Sequence, residues 1–247
     1  MAKHDVIYVL KNNYTDEELR YSVRSVVQNF QYRKLVFVGG CPEYMTADIV
    51  IPHDQAGASK WKRSMSSLKK ALSDNRLTED VWLFNDDFFV MDRHSDDINY
   101  FNGTLEKRII DLKKANPRGS TYISALDNLR GNLMFYGKDT LSFALHVPFL
   151  INRAKALSIF EKPGSDMFRS YYGNYYEIEC RFMKDVKVYD QETIPDTPFI
   201  STSDEAFKTG KVGTFLRKYF SEPSKYEKDR RVEIRELYDE DGEVRYE

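Results

Sequence analysis

From Asp5 to Val90 the apolar residues fall into short unbroken runs, separated by stretches in which apolar positions recur every three or four residues. The runs are DVIYVL (Asp5–Leu10), KLVFV (Lys34–Val38), DIVI (Asp48–Ile51) and VWLF (Val81–Phe84). They are β-branched or aromatic and too short for helices, so each is expected as a buried strand. Between them, Leu19, Val23, Val26 and Phe30 share a helical face behind Thr15 and Glu18, which have capping-box spacing. Met65, Leu68 and Leu72 mark a second helix over Ser64–Leu72, and Gly39-Gly40 closes the second run. Strand, helix, strand, strand, helix, strand predicts an α/β fold with a doubly wound, mostly parallel sheet flanked by helices.

The second half is less regular. LEKRIIDLKKA, stopped before Pro117, predicts a helix with Ile109 and Leu112 inward. Thr121–Leu126 and Leu141–Leu145 are expected as strands, Asn152–Phe160 and Asp166–Tyr176 as short helices, and Val186–Val188 as the last strand. QETIPDTPFISTSDE is expected as a loop facing a cleft, followed by the final helix. The organisation expected is one domain over 1–224, with halves at 1–92 and 93–224. A charge-dense, solvated tail then follows over 225–247.

The chemistry centres on WLFNDDFFVMD (Trp82–Asp92). Asp86 and Asp87 interrupt an apolar run, where an unpaired buried carboxylate would cost several kcal/mol. As hard oxygen ligands at a strand's carboxyl end they suit Mg²⁺ or Mn²⁺ gripping a diphosphate. Asn-Asp-Asp is also turn-favouring, but the chain returns at once to Phe88-Phe89-Val90 without Gly or Pro.

Other candidates carry a plain structural reading beside a chemical one. His146, after LSFAL, is the best general-base candidate, with His53 second; taken alone, His146 reads as a satisfied core histidine. Arg169, in MFRSYYGNYY, offers a planar fork for phosphate or a guanidinium stacked on Tyr171, Tyr172 and Tyr175, and Gly173 permits a close backbone approach. Arg20 and Arg24 lie one helical turn apart, able to meet phosphates or to pair with acids. SKWKRS supplies Lys60 and Arg63 to a helix start that suits an anion, or else is an exposed loop.

Composition narrows the classes. With 247 residues, 41% of them hydrophobic, the chain has material for a single substantial core. A net charge of −2 gives no bulk signal for a nucleic-acid or membrane partner, though it leaves room for a local basic groove. Cys41 and Cys180 are too few for a disulfide framework, and no segment has the roughly 20 apolar residues of a membrane span. The apolar run near the start is too short for the core of a signal peptide. A cytoplasmic setting is the expectation. Walker, GxGxxG, zinc and G-x-S-x-G signatures are absent.

ELRYSVRSV (Glu18–Val26), WLFNDDFFV (Trp82–Val90), HVPF with FRSYYGNY downstream, and SDE…FLRKYFSEPSKYE (Ser203–Glu227) occur in this order. The set resembles the Stealth family of sugar-phosphate transferases, which includes bacterial capsule polymerases and the GlcNAc-phosphotransferase of lysosomal enzyme tagging. The likeness spans most of the chain. It implies a GT-A-like fold and transfer of a sugar-1-phosphate from a UDP-sugar to an acceptor hydroxyl with Mg²⁺. By position, Asp86 and Asp87 would be the metal and catalytic acids, His146 their catalytic partner, Arg169 the phosphate clamp and Asp204 the late acid. Arg20 and Arg24 would hold the nucleotide's phosphates. The family's "TWVDG" is here VLKNN, leaving Asp5 as the nearby acid; ASKWKRS stands for "PTFNS", STSD for "IND" and Phe220-Ser221 for "FP". These departures leave open which sugar is used and whether phosphate travels with it. Plain glycosyl transfer to a saccharide or to a hydroxylated DNA base, and a non-catalytic nucleotide-sugar-binding module, are the alternatives.

Overall fold

The computed structural model describes residues 4–12, 14–54 and 60–228, without the side chains of Lys60 and Trp61. It opens with β1 (Asp5–Leu10), α1 (Glu18–Asn29), β2 (Leu35–Gly39), β3 (Ile49–Ile51), α2 (Lys60–Leu72) and β4 (Asp80–Phe84). There follow β5 (Phe88–Val90), β6 (Asn99–Phe101), α3 (Leu105–Ala115), α4 (Thr121–Phe135), β7 (Phe149–Asn152), α5 (Arg153–Leu157) and α6 (Phe168–Tyr175). β8 (Cys180–Phe182), β9 (Lys187–Val188), β10 (Phe199–Thr202), α7 (Asp204–Thr209) and α8 (Lys211–Tyr219) complete it.

The central sheet has the order β3-β2-β1-β4-β7, with the first four strands parallel and β7 antiparallel to β4. Apart from Asp5, Asp80 and Asn152 at strand ends, its strands are built of apolar and aromatic residues because both faces are covered. Ile7 points to the face where Leu68 and Leu72 of α2 pack with α4 and α6, while Val6, Tyr8 and Leu10 meet Leu19, Val23 and Val26 of α1 on the other. Each such side chain, fully buried, contributes about 1.5–3 kcal/mol. A second sheet, β5-β10-β9, packs beside α1. The helix ties that sheet's edge: Ser22 Oγ donates to the Phe88 carbonyl, and the Val90 N–H donates to Ser25 Oγ at 3.0 Å.

Several expectations change. Thr121–Leu126 is not a strand but the start of α4. Ser120 caps it by accepting from the Ile123 N–H, and Ile123, Leu126, Leu129 and Leu133 fall on one buried helical face. Leu141–Leu145 forms no strand beyond an isolated bridge at Leu141; the strand lies after the His146 turn, as β7. The expected loop contains β10, every residue of which is buried, so Val188 does not end the last strand. The Thr15–Glu18 capping box does not form: α1 starts at Glu18 without a side-chain cap, because Glu18 turns inward. The tail expected from 225 begins anchored, with Tyr226 buried and bonded to Asp48, and Glu227 paired with two arginines; residues 229–247 lie outside the described residues.

Candidate functional site

β1, β2 and β3 step outward in one direction, and the chain then returns to place β4 on the other side of β1. The order thus reverses between β1 and β4, the position at which parallel α/β sheets open a crevice beyond their carboxyl ends. A cavity of about 610 Å³ lies there. Val9, Leu10 and Lys11 at the end of β1 line it, as do Asn85, Asp86 and Asp87 directly after β4. Gly40 lets the β2 end approach this rim, since a Cβ there would stand 2.2 Å from the Lys11 carbonyl oxygen.

The acids sit on a tight turn, in which the Phe88 N–H donates to the Asn85 carbonyl at 3.2 Å. The turn expected of Asn-Asp-Asp is present, and Asp86 and Asp87 both line the crevice from it. Asp87 is buried and accepts from Ser201 Oγ of β10 at 2.9 Å and from Lys187 Nζ of β9. Asp86 is half-buried, and burial, reinforced by Asp87, raises its pKa. The Tyr14 hydroxyl is near enough to hold that rise in check, although it completes no hydrogen bond of ordinary geometry.

Glu18, at the first position of α1, joins them from beneath. It is buried and accepts from Thr202 Oγ1 at 3.0 Å. Burial, opposed by that hydrogen bond and increased by Asp87, Asp86 and Asp204, pushes it up to about 8. Asp204, the first residue of α7, lines the cavity from an exposed position. The raised Glu18 pKa has a direct consequence. A carboxyl whose folded pKa exceeds its unfolded value holds a proton that the unfolded chain has released, so stability falls as pH rises between the two values. Each pH unit in that window costs at most about 1.4 kcal/mol. Glu18→Gln is therefore expected to match the wild type in Tm near pH 4.5 and to exceed it by several degrees at pH 8.5, as measured by thermal melts across that range. Equal Tm differences at both ends would contradict a buried, proton-retaining Glu18.

His146 also lines the cavity, its ring 6.5 Å edge-on from that of Phe88, the residue after Asp87. Its Nδ1 stands 3.0 Å from both carboxylate oxygens of Asp185, which also accepts from the His146 backbone N–H at 3.3 Å. Burial raises the Asp185 pKa, but the hydrogen bond and charge of His146 outweigh it and leave the group below its ordinary value. Such a carboxylate fixes the imidazole with its proton on Nδ1, so that Nε2 is the basic nitrogen.

Arg169 does not line this cavity. Its Nη1 donates to the carbonyls of Leu145 and Val147 at 2.9 and 2.8 Å, on either side of His146, and the guanidinium lies over Phe88 and Phe149. Burial, partly offset by Asp87, lowers its pKa to about 10, so it stays charged at neutral pH. It fixes the turn that presents His146. Arg20 and Arg24 also lie elsewhere. Arg24 makes a fork of 2.8 and 2.7 Å to Glu227 and donates to the Phe220 and Ser221 carbonyls, while Arg20 stacks on Tyr44 and reaches Glu227 at 3.5 Å. Both therefore face a carboxylate from the C-terminal segment and do not line the cavity of Asp86 and Asp87.

Arg63 does line the cavity, while the Lys60 side chain is outside the described residues. His53 pairs with Ser66 at 2.7 Å, away from the acids. Asp5 sits at the far end of β1, bound by Arg33, and does not line the cavity. Tyr171 and Tyr172 are core residues, not a stacking surface, and Gly173 gives the close approach expected of it: a Cβ would meet the Phe143 ring at 2.5 Å.

Among the described residues no three His, Cys, Asp or Glu side chains gather closely enough to hold an ion unaided. Mg²⁺ commonly needs only one or two carboxylates, substrate phosphates and water completing its shell. Asp86 suits that arrangement, because a cation would relieve the repulsion and burial that disfavour its charge. The sequence reasoning missed Glu18 as a cavity residue, Asp185 and Lys187. Only Glu18 carried a signal, as the first residue of the ELRYSVRSV segment. Compared with known proteins, the chain matches no family model and no curated sequence. Among the described residues no helix is long and apolar enough to cross a membrane.

Proposed function

We propose that the protein is a metal-dependent transferase with a GT-A-like fold, using a nucleotide-sugar donor such as a UDP-sugar and moving a sugar-1-phosphate to an acceptor hydroxyl. The observation that carries this is the convergence of Asp86, Asp87 and the His146–Asp185 pair on one cavity at the β1/β4 reversal. That crevice is where parallel α/β sheets take nucleotides, and its volume of about 610 Å³ accommodates a ligand of that size.

In this reading the acid side of the cavity, Asp86 foremost, takes the cation that accompanies the donor's diphosphate. When bound, Mg²⁺ or Mn²⁺ would supply charge neutralisation at the leaving phosphate. In the same cavity, His146 Nε2 accepts the proton of the acceptor hydroxyl, Asp185 holding the imidazole in the required tautomer. Glu18, with a pKa of about 8, exchanges a proton near neutral pH and is placed to serve as a second acid or base beside Asp86. Arg169 acts one layer back, by holding both carbonyls that flank His146.

The test is product identity. Incubation with UDP-sugars, Mg²⁺ and a panel of hydroxyl acceptors should release UMP and transfer a sugar-phosphate to the acceptor. Release of UDP would assign plain glycosyl transfer instead. Binding of donor with neither product, across the panel, would favour a non-catalytic module.

A further inference from the structure

We propose that Lys187 is a phosphate-gripping residue of the cavity, and that Asp87 serves as its anchor rather than as a free metal ligand. The inference rests on the nucleotide-sugar reading and assigns the two acids different work.

The lining cations differ in how they are held. Lys11 has a side chain 70% exposed and reaches Asp16 at 3.8 Å, and Arg63 is exposed. Lys187 has a side chain only 16% exposed, and its ammonium contacts Asp87, which is fixed in turn by Ser201. Register explains the arrangement: β10 lies between β5 and β9, and Ser201 is the residue opposite both Phe88 and Lys187. Backbone pairing thus brings the residue after Asp87, its hydroxyl partner and its ammonium partner to one level. An ammonium has three N–H donors, and Lys187 Nζ has no partner but Asp87 among the described residues. Since Lys187 lines the cavity, its remaining donors are available to an anion there. Both bonds fall on Asp87 Oδ2, so that oxygen is committed to Lys187 and Ser201 and at most Oδ1 could turn to a cation, whereas Asp86 accepts from neither.

Titration calorimetry of the full chain with UDP and with inorganic pyrophosphate tests this. Lys187→Met should weaken both ligands about ten- to a hundredfold, the loss of one charge-assisted hydrogen bond, in EDTA as well as in Mg²⁺. Lys187→Arg should restore most of the affinity, and Mn²⁺ titrated without nucleotide should bind Lys187→Met as it binds wild type. Should Lys187→Met leave the buried Asp87 charge uncompensated and unfold, the pair Lys187→Met/Asp87→Asn replaces it with the same expected loss. Unchanged UDP and pyrophosphate affinity in a folded variant overturns the proposal. So does markedly tighter Mn²⁺ binding by Lys187→Met, which would make the lysine a placeholder on a metal ligand. Lys187-dependent pyrophosphate binding without UDP binding would uphold the grip while removing the nucleotide donor. Binding of neither ligand by wild type would overturn both.

Discussion

Asp86→Asn is expected to lower turnover about 10²–10³-fold, the loss typical when one preorganised electrostatic partner is removed from a reacting charge, while the protein melts at or slightly above the wild-type temperature. The two halves of that expectation have one cause. Asp86 is held where burial and the Asp87 carboxylate disfavour its charge. In the absence of a cation that charge weakens the fold, and replacement by a neutral group of the same shape removes the penalty. In the proposed mechanism the same unfavourable charge would attract and orient the cation accompanying the donor, so Asn is expected to remove that function with it. A residue present only for packing would behave otherwise, leaving turnover intact. The measurement is released UMP or UDP by chromatography under saturating Mg²⁺, beside a melt without metal. Turnover above about a tenth of wild type, far short of the loss expected for such a partner, would remove Asp86 from the mechanism.

The contrast between Asp86 and Glu18 shows what a sequence can and cannot carry. The Asp86-Asp87 interruption was legible because VWLF and FFV bracket it, and a strand that stops at acids points to a sheet's carboxyl end. β1, β2 and β4 were legible for the same reason, since strands covered on both faces must be almost wholly apolar. Glu18 was misread because the spacing from Thr15 satisfies a local capping rule, and only the tertiary placement of Thr202 offers the competing partner that wins. α4 was misread where TYIS opens with strand-favouring residues; its helical period becomes visible only when Leu129 and Leu133 are included. β10 was hidden by prolines at 195 and 198, which both precede the strand and leave its pairing intact. Arg20 and Arg24 share a face as the spacing requires, but the sequence does not say what meets that face, and Glu227 does. Asp185 and Lys187 alternate with the buried Val186 and Val188, so the sequence shows them only as the polar positions of the short strand expected there. Their importance comes from the fold bringing His146 and Asp87 beside them.

Asp185→Asn should separate a base held in the right tautomer from a histidine merely present in the wall. In the wild type the carboxylate accepts the Nδ1 proton, leaving Nε2 free to take one from the acceptor hydroxyl. An amide can instead donate to Nδ1, moving the ring proton to Nε2 and turning the base into a donor. Where an aspartate orients a catalytic histidine in this way, the corresponding Asn substitution costs about 10⁴-fold in turnover with geometry intact. Here a loss of about 10²–10⁴-fold is expected, with donor affinity within about threefold of wild type, because the proposed mechanism assigns the pair to the acceptor and the grip on phosphate to other residues. His146→Ala should lose about as much, and the double variant no more than the worse single one, since two residues acting as a unit are not additive. Single-turnover rates and donor titrations of the three variants check this. Multiplying losses would mean that Asp185 and His146 act separately, and weakened donor binding in Asp185→Asn would move the pair to the donor side of the cavity.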